Sequence, residues 1–349
     1  FILLFTTFAQ ANSKLCKSRI ADMTLQEFLT EWNNGQEHLH VHTSGSTGVP
    51  KDIVVEKKRM LASATMTCDA LGLKPGDNAL LCMPLDYIAG KMMVVRSIER
   101  QLNLIDIAPS SHPLKTFTEG GQHIHFAAFV PLQVVKTLEN KEERRVFESI
   151  DNVIIGGGAI DDHLERVLAE MPNNVYSTYG MTETLSHIAL RRISGKNASL
   201  WYTPMPGVCV SLADDSCLTI SAPTVCSDIL RTNDIAEIND EGRFRIIGRK
   251  DNTINTGGVK VQIEEVERLL HNEDIRNVLI TSAPDTLYGE IIVLLADKNY
   301  YANNSENIDK AIATLPRYWR PKRIVPVEEL PMTETGKPDR AKAKTLAIS

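Results

Sequence analysis

Short apolar runs alternate with amphipathic stretches over roughly the first 200 residues of the chain. The runs that predict strands are HLHVH (38–42), NALLCM (78–83), HFAAFV (125–130), NVIIGG (152–157) and NVYSTYG (174–180). Helices are predicted from about 57 to 71 and from about 161 to 171. Strands that alternate with helices favour a mostly parallel sheet covered on both faces. In such sheets ligands bind at the carboxyl ends of the strands, which is where polar loops follow these runs.

The pattern changes from about residue 206 onward. Segments such as VCVSLA, CLTISA and FRIIG, up to residue 247, are typical of antiparallel β structure, and DEGR (240–243) fits a hairpin turn. After GRKDN (248–252) the predicted order is strand, helix, two strands, helix and strand, at 259–262, 263–271, 276–282, 290–296, 306–315 and 322–327. Ser305 is the predicted N-cap of the last helix, because a side-chain oxygen there can accept from the first turn. The sequence therefore predicts an α/β protein with a large domain at 1–248 and a smaller α+β domain at 249–349.

The composition limits the partners of the chain. The formal net charge of -6 and the pI near 5.9 supply no positive field for nucleic acid or for an anionic membrane surface, so a small diffusible partner is expected. The six cysteines include no CxxC pair, which argues against a zinc knuckle and a disulfide framework and indicates a reducing cytoplasm. The opening FILLFTTFAQA lacks the basic start of a signal peptide and is too short to span a bilayer, so it is interpreted as a first strand, with secretion the alternative.

The stretch HTSGSTGVPK (42–51) has the composition of an anion-binding loop, with hydroxyl groups, two glycines and the cation Lys51. It does not match a Walker A loop, because Lys51 is preceded by Pro50 and followed by Asp52. GGGAID (156–161) likewise has an aspartate where the dinucleotide fingerprint requires a small residue. A phosphate is therefore expected at the loop, but in neither of these two common phosphate-binding modes.

Five motifs in order resemble those of the adenylate-forming superfamily, which includes acyl-CoA synthetases. They are TSGSTGVPK (43–51), YGMTE (179–183), TND (232–234), GRKD (248–251) and PMTETGK (331–337). The resemblance implies the adenylate-forming fold, here with a shortened N-terminus, since only 42 residues precede the loop. It also implies a two-step reaction, in which a carboxylate attacks the α-phosphate of ATP and a thiolate of coenzyme A then displaces AMP. Positioned cations and backbone donors should dominate both steps.

The resemblance assigns nucleotide contacts one position at a time. The β- and γ-phosphates would contact Thr43, Ser44, Gly45, Ser46, Thr47, Gly48 and Lys51. Adenine would lie against Gly157, Gly158, Ala159, Tyr179 and Gly180. Asp234 would accept the ribose hydroxyls, and Arg249 would contact the ribose or a phosphate. The family usually has glycine where this chain has Asn233, and Asn tolerates unusual backbone angles well.

The resemblance also assigns the catalytic and moving parts. Thr182 would donate to the α-phosphate, and Glu183 would hold Mg²⁺, which prefers carboxylate oxygen. Lys337 would meet the reacting carboxylate and the α-phosphate in the first step. Asp251 would be the hinge about which the smaller domain rotates between the two steps.

A finer match concerns the acid that is activated. YGMTETLSHIAL (179–190), followed by TPMPGV (203–208), resembles the o-succinylbenzoate-CoA ligases of menaquinone biosynthesis, and so implies an aromatic dicarboxylate substrate. PLDYIAG (84–90) places Tyr87 where the family commonly has histidine. Since the aromatic carboxylate survives the reaction, the pocket requires a cation or several donors. The candidates are Lys91, Ser186 and His187.

Two alternatives from other classes remain at this level. The chain could be another aryl- or acyl-CoA ligase or an adenylation enzyme that loads a carrier protein, or it could bind nucleotide without catalysis. The presence of both Lys337 and Asp251 argues against simple binding, which requires neither. The sequence leaves the oligomeric state open.

Overall fold

The structure, a computed structural model, describes residues 23–42, 52–333 and 338–348. The predicted first strand, FILLFTTFAQA, lies outside these residues. The helices are α1 Leu25–Trp32, α2 Lys57–Leu71, α3 Ile88–Arg100, α4 Pro131–Glu139, α5 Lys141–Ser149, α6 Asp162–Ala169, α7 Ile263–Asn272, α8 Lys298–Thr314 and α9 Arg340–Ile348. None of these helices is long and apolar enough to cross a membrane.

Eighteen strands are assigned within the same residues. Those of the first part are β1 His38–His42, β2 Asp52–Glu56, β3 Asn78–Leu81, β4 Asn103–Asp106, β5 Phe126–Phe129, β6 Asn152–Ile155, β7 Asn174–Gly180, β8 His187–Arg192 and β9 Thr203–Pro204. Those of the second part are β10 Cys209–Leu212, β11 Cys217–Ser221, β12 Leu230–Ile238, β13 Phe244–Arg249, β14 Thr253–Thr256, β15 Val259–Gln262, β16 Val278–Asp285, β17 Gly289–Asp297 and β18 Arg323–Val327.

A seven-stranded sheet carries the centre of the fold, in the order β4-β3-β5-β6-β7-β8-β9. Strands β3 to β7 pair in parallel, whereas β8 and β9 join antiparallel. One apolar cluster, which includes Met92 of α3 and Phe126 of β5, covers one face. A second, which includes Phe129 of β5 and Phe147 of α5, covers the other. The prediction of a mostly parallel sheet buried on both faces is confirmed.

The first predicted strand-loop-helix unit is wrong in one respect. HLHVH forms β1 as predicted, but β1 pairs antiparallel with β2 in a separate two-stranded sheet, with His42 opposite Asp52. The loop 43–51 therefore connects two paired strands, and α2 begins only after β2. The segment DIVVE was missed as a strand because it follows directly on the glycine-rich loop and is only five residues long.

Two further sheets follow. Strands β10 to β13 form an antiparallel sheet, as the alternating segments predict, and the turn at 240–243 joins β12 to β13. The last sheet has the order β15-β14-β17-β16, with β18 parallel to β17. Two apolar clusters are built entirely from residues of this last part, between Ile254 and Ala347.

The last long helix is the clearest error in the predicted elements. It begins at Lys298, not near residue 306, and Ser305 lies inside it. The N-cap is Asp297, whose carboxylate accepts from Tyr300 N at 2.8 Å. Tyr300 and Tyr301 pack against the apolar cluster and extend the buried stripe upstream of Ile308, so tertiary contact overrides the poor helix propensity of NYYANN.

Candidate active site

Two segments predicted to contact adenine meet at the carboxyl edge of the seven-stranded sheet. GGGA follows β6, and YGMTE ends β7, the strand next to β6. Thr178 Oγ1 donates to Ile155 O at 3.2 Å across this edge. A Cβ on Gly156 would lie 2.6 Å from that hydroxyl, and Gly157 has a φ of +79°. Glycine is thus favoured at 156 and 157, and Gly157, Gly158 and Ala159 follow β6 at the same edge of the sheet at which Tyr179 ends β7.

Tyr179 connects this edge to the antiparallel sheet. Its hydroxyl donates to Asp234 Oδ2 at 2.5 Å, and its ring packs edge-on to Phe244 at 5.1 Å. Burial, together with the Asp234 carboxylate, raises the pKa of the Tyr179 hydroxyl, so the phenol stays protonated and donates. Arg249 NH1 lies 3.6 Å from the other carboxylate oxygen of Asp234. The structure therefore brings together three of the residues predicted to surround adenine and ribose.

The segment after β7 folds into a short 3₁₀ helix, Thr182–Thr184, and then turns sharply. Leu185 has a φ of +65°, and a Cβ on Gly180 would lie 2.3 Å from Ser186 O, so this turn requires glycine at 180. Thr184 Oγ1 donates to Ser186 O at 2.7 Å, which holds the turn. These contacts fix how Thr182 and Glu183 follow the carboxyl edge of the sheet and how the chain returns through Ser186 to β8.

Glu183 fits the predicted magnesium site by the chemistry of its side chain. It is exposed, and within the described ranges it has no hydrogen-bond or ion-pair partner. A free carboxylate is a suitable ligand for Mg²⁺, which is commonly held by one or two carboxylates together with substrate phosphates.

Ser186 and His187 also lie together, and the structure adds a residue that the sequence interpretation missed. Arg96 NH2, from α3, donates to Ser186 Oγ at 2.6 Å, and Ser186 Oγ lies 3.3 Å from His187 Nδ1. Thr67 Oγ1, from α2, lies 3.1 Å from His187 Nε2. The sequence did contain one signal for Arg96: it is the single arginine of the apolar stretch KMMVVRSI. An unpaired arginine is seldom buried, so its position there is unusual.

Of the other two candidate substrate residues, Lys91 lies on α3 and Tyr87 lies immediately before it. Lys91 is 2% exposed, and its ammonium lies 3.5 Å from His40 O and 5.6 Å from the centre of the Phe28 ring. Burial lowers the pKa of this amine. Lys91 and Arg96 are five positions apart, which at 3.6 residues per turn places them about 140° apart around the helix. Tyr87 precedes the helix and is partly exposed.

The predicted hinge is tied to its neighbours. Arg249 donates to both oxygens of the Asp251 carboxylate, from Nε at 3.0 Å and from NH2 at 2.9 Å. Hydrogen bonding to Arg249 lowers the pKa of Asp251. Lys250 Nζ contacts Asp215 Oδ2 at 2.6 Å, and Arg231 contacts the same oxygen at 2.8 Å.

Two predicted parts of the site lie outside the described residues. They are the phosphate loop 43–51, with Thr43 to Gly48 and Lys51, and the segment 334–337, which contains Lys337. The structure describes their attachments: His42 and Asp52 at the ends of β1 and β2, and Met332, which forms an antiparallel bridge with Pro338.

A separate histidine cluster lies at the opposite, amino edge of the sheet. Ligand atoms of His123, His125 and Asp151 lie within 4.8 Å of one another. His125 Nδ1, however, accepts from Asn78 N at 3.0 Å, so in the neutral ring Nε2 carries the proton. Neither ring nitrogen of His125 then has a lone pair free for a metal ion. The cluster in this arrangement offers two ligands, which are too few for a closed site.

Comparisons with known proteins identify a family and several relatives of this chain. The model of the family described as AMP-binding enzyme matches residues 31–225. A 2-succinylbenzoate–CoA ligase of Bacillus cereus is 24% identical over 326 residues, which covers 85% of this chain and 67% of that protein. A solved acyl-CoA synthetase (AMP-forming)/AMP-acid ligase II-like protein from Dyadobacter fermentans is 34% identical, with a TM-score of 0.60, over 92% of this chain and 93% of that one.

A further solved structure shares the fold at lower identity. It is the o-succinylbenzoate CoA synthetase of Bacillus subtilis in complex with the acyl-adenylate intermediate OSB-AMP, with a TM-score of 0.71 and 20% identity, over 87% of this chain and 68% of that one. The resemblance predicted from the five motifs is thus confirmed, together with the α/β adenylate-forming fold. The family model covers more than half of the chain, and the chain belongs to the AMP-binding enzyme family.

Proposed function

We propose that this protein ligates o-succinylbenzoate to coenzyme A in an ATP-dependent reaction of menaquinone biosynthesis. In the first step an oxygen of the succinyl carboxylate attacks the α-phosphorus of ATP; the bond to the β-phosphate breaks, and pyrophosphate leaves. In the second step the thiolate of coenzyme A attacks the acyl carbon, and AMP leaves with the electron pair of the acyl–oxygen bond. Membership of the AMP-binding family supports the AMP-forming chemistry.

The observation that carries the choice of acid is Arg96. Its side chain is 2% exposed, and within residues 23–42, 52–333 and 338–348 it forms no ion pair with a carboxylate. Its Nε is buried without a hydrogen-bond partner, and NH1 faces only the sulfur of Met93 at 3.7 Å. A buried cation without a counter-ion is unfavourable unless a ligand supplies one. An acid with a second carboxylate, which does not react, supplies it.

The names of the relatives point to the same acid. The Bacillus cereus relative is a 2-succinylbenzoate–CoA ligase, and so is a relative from Listeria monocytogenes that is 23% identical over 344 residues. The Bacillus subtilis structure holds the adenylate of this acid.

The remaining roles complete the proposal. ATP would lie along the carboxyl edge, with Tyr179, Asp234 and Arg249 around adenine and ribose and the loop 43–51 at the phosphates. Glu183 would hold Mg²⁺, which would neutralise charge on the phosphates. The segment after Asp251 would form a mobile domain that delivers Lys337 in the first step.

The experiment that tests this function compares acids that differ by one carboxylate. The protein is incubated with ATP, Mg²⁺ and coenzyme A and with either o-succinylbenzoate or its analogue without the aromatic carboxylate, and AMP and acyl-CoA are quantified. We expect AMP and thioester in equal amounts with o-succinylbenzoate, and a kcat/KM for the analogue that is lower by about one to two powers of ten, the value of a charge-assisted hydrogen bond.

Three other outcomes contradict the proposal. Equal kcat/KM on both acids would favour a general aryl-CoA ligase. Release of pyrophosphate with accumulation of the acyl adenylate, but without AMP or thioester in the presence of coenzyme A, would favour transfer to a carrier protein. Binding of ATP without turnover of any acid in a broad panel would favour a nucleotide-binding protein.

A further inference from the structure

Five polar groups form one continuous hydrogen-bonded chain between α2, α3 and the start of β8. The chain runs from Arg96 NH2 to Ser186 Oγ (2.6 Å), to His187 Nδ1 (3.3 Å), across the ring to Nε2, then to Thr67 Oγ1 (3.1 Å) and to Ser63 O (3.2 Å). His187 is 6% exposed, and Thr67 is fully buried. Water therefore cannot readily replace a lost partner at the Nε2 end of the ring, where Thr67 lies.

Each hydrogen bond in this series donates in the same direction, from Arg96 towards Ser63 O. A guanidinium has only donors, so Ser186 Oγ accepts from Arg96 and its own proton is free to go to His187 Nδ1. A backbone carbonyl only accepts, so the Thr67 hydroxyl donates to Ser63 O and must accept from His187 Nε2. All four contacts are satisfied together when His187 is neutral with its proton on Nε2. Burial, with the Arg96 charge as the second cause, lowers the pKa of His187 well below its usual range, which keeps the ring neutral at pH 7.

We propose that Thr67 is a positioning residue for Arg96, because it fixes the His187 tautomer that draws the Ser186 proton away and turns the Ser186 lone pair to the guanidinium. The substrate selectivity in this inference rests on the proposed function, whereas the tautomer does not. Ser186 and His187 then orient Arg96 and do not themselves contact the acid. Selectivity for the second carboxylate depends on a threonine on another helix that never touches it.

The tautomer is measured without any substrate. Long-range proton–nitrogen correlation on protein labelled with ¹⁵N-histidine distinguishes the two neutral forms, and the His187→Asn variant assigns the signal. We expect the Nε2–H form in the parent protein. In Thr67→Val the Nε2 proton has no acceptor, so the Nδ1–H form, which donates to Ser186 Oγ, should become the major one. A parent protein in the Nδ1–H form, or a Thr67→Val variant with an unchanged tautomer, would overturn the proposal.

Kinetics test the consequence for selectivity. Thr67→Val should raise the KM for o-succinylbenzoate about tenfold, the effect of one hydrogen bond, with kcat and the KM for ATP close to those of the parent. Thr67→Ser keeps the hydroxyl and is the matched control, so it should restore the parental KM. The analogue without the aromatic carboxylate should respond to neither change.

The outcomes separate this proposal from the function on which it rests. Equal rises in KM for both acids, or failure of Thr67→Ser to restore KM, would mean that Thr67 has only a packing role. A parent protein that does not turn over o-succinylbenzoate would refute the proposed function, while the tautomer experiment would still decide the direction of the chain. If Thr67→Val folds poorly, the KM of Thr67→Ser and the His187 tautomer of the parent protein still test the proposal.

Discussion

Replacing Arg96 by methionine should make the protein more stable and less selective at the same time. Burial lowers the pKa of Arg96 to about 10, so the guanidinium remains charged at neutral pH but at a cost on the order of 3 kcal/mol. Met lacks both this charge and the charge-assisted bond to Ser186 Oγ, which is worth about 1.5 to 3 kcal/mol. The difference predicts that Arg96→Met raises the free energy of unfolding by up to about 1.5 kcal/mol.

The substrate experiment completes this prediction. In the parent, the aromatic carboxylate meets a desolvated cation, an interaction worth about 1.5 to 3 kcal/mol, or about 10- to 150-fold in kcat/KM. Arg96→Met should lose this factor on o-succinylbenzoate and lose nothing on the analogue without that carboxylate. Urea unfolding with an unchanged m-value measures the stability, and AMP release measures the kinetics. The reasoning is refuted if the variant keeps the parental preference between the two acids, or if it unfolds at lower urea than the parent.

Three further changes test other parts of the structure. Asp234→Asn should weaken ATP binding by about 10- to 100-fold, because ribose hydroxyls lose an ionised acceptor, and calorimetry that finds equal affinity would exclude a ribose contact. Glu267→Gln breaks the two-point pair with Arg340, at 2.7 Å from each guanidinium nitrogen, and should lower the free energy of unfolding by about 3 kcal/mol in urea titrations; an unchanged midpoint would contradict it. Lys337→Ala should lower kcat of adenylation by about 10² to 10³ and leave thioester formation from prepared acyl adenylate intact, so equal impairment of both steps would assign Lys337 a role common to both.

Much of the fold could be predicted from local patterns in the sequence. The helix at 57–71, the strand at 174–180 and the strand at 259–262 agree with the structure to the residue, because each has a clear period and a clear end. The helix at 57–71 ends at Gly72, which adopts the left-handed conformation that glycine favours. Helix α3 was not predicted, since eight consecutive residues, Gly90 to Ser97, are buried and so no polar face interrupts this stretch.

The candidate site, like the fold, could be predicted only in part from the sequence. Motif residues such as Tyr179, Asp234 and Arg249 were predicted correctly to be neighbours, because the resemblance fixes their order and the fold brings the ends of their strands together. Their roles in binding remain predictions. The role of Arg96 could not be predicted from the sequence, because it depends on which side chains surround the guanidinium. A buried arginine is ordinary when a carboxylate lies beside it, and only the three-dimensional arrangement shows that none of the described residues supplies one.

Arg249 connects Asp234, the predicted ribose residue, with Asp251, the predicted hinge. Nε and NH2 are both used on Asp251, and NH1 is directed at Asp234, so the three nitrogen groups of one guanidinium are engaged within the protein. A contact between Arg249 and a ribose or phosphate, as the resemblance implies, would compete with the carboxylate of the predicted hinge for the position of this guanidinium. If the guanidinium turned towards the nucleotide, Asp251 would lose its two-point contact in the same event. Asp234 and Arg249 face each other across the paired strands β12 and β13, so the predicted ribose residue and the predicted hinge lie at one end of a single hairpin. We therefore predict that the Arg249–Asp251 pair partly offsets the free energy that a nucleotide would gain from Arg249, and that rotation about Asp251 is easier with nucleotide bound than without it.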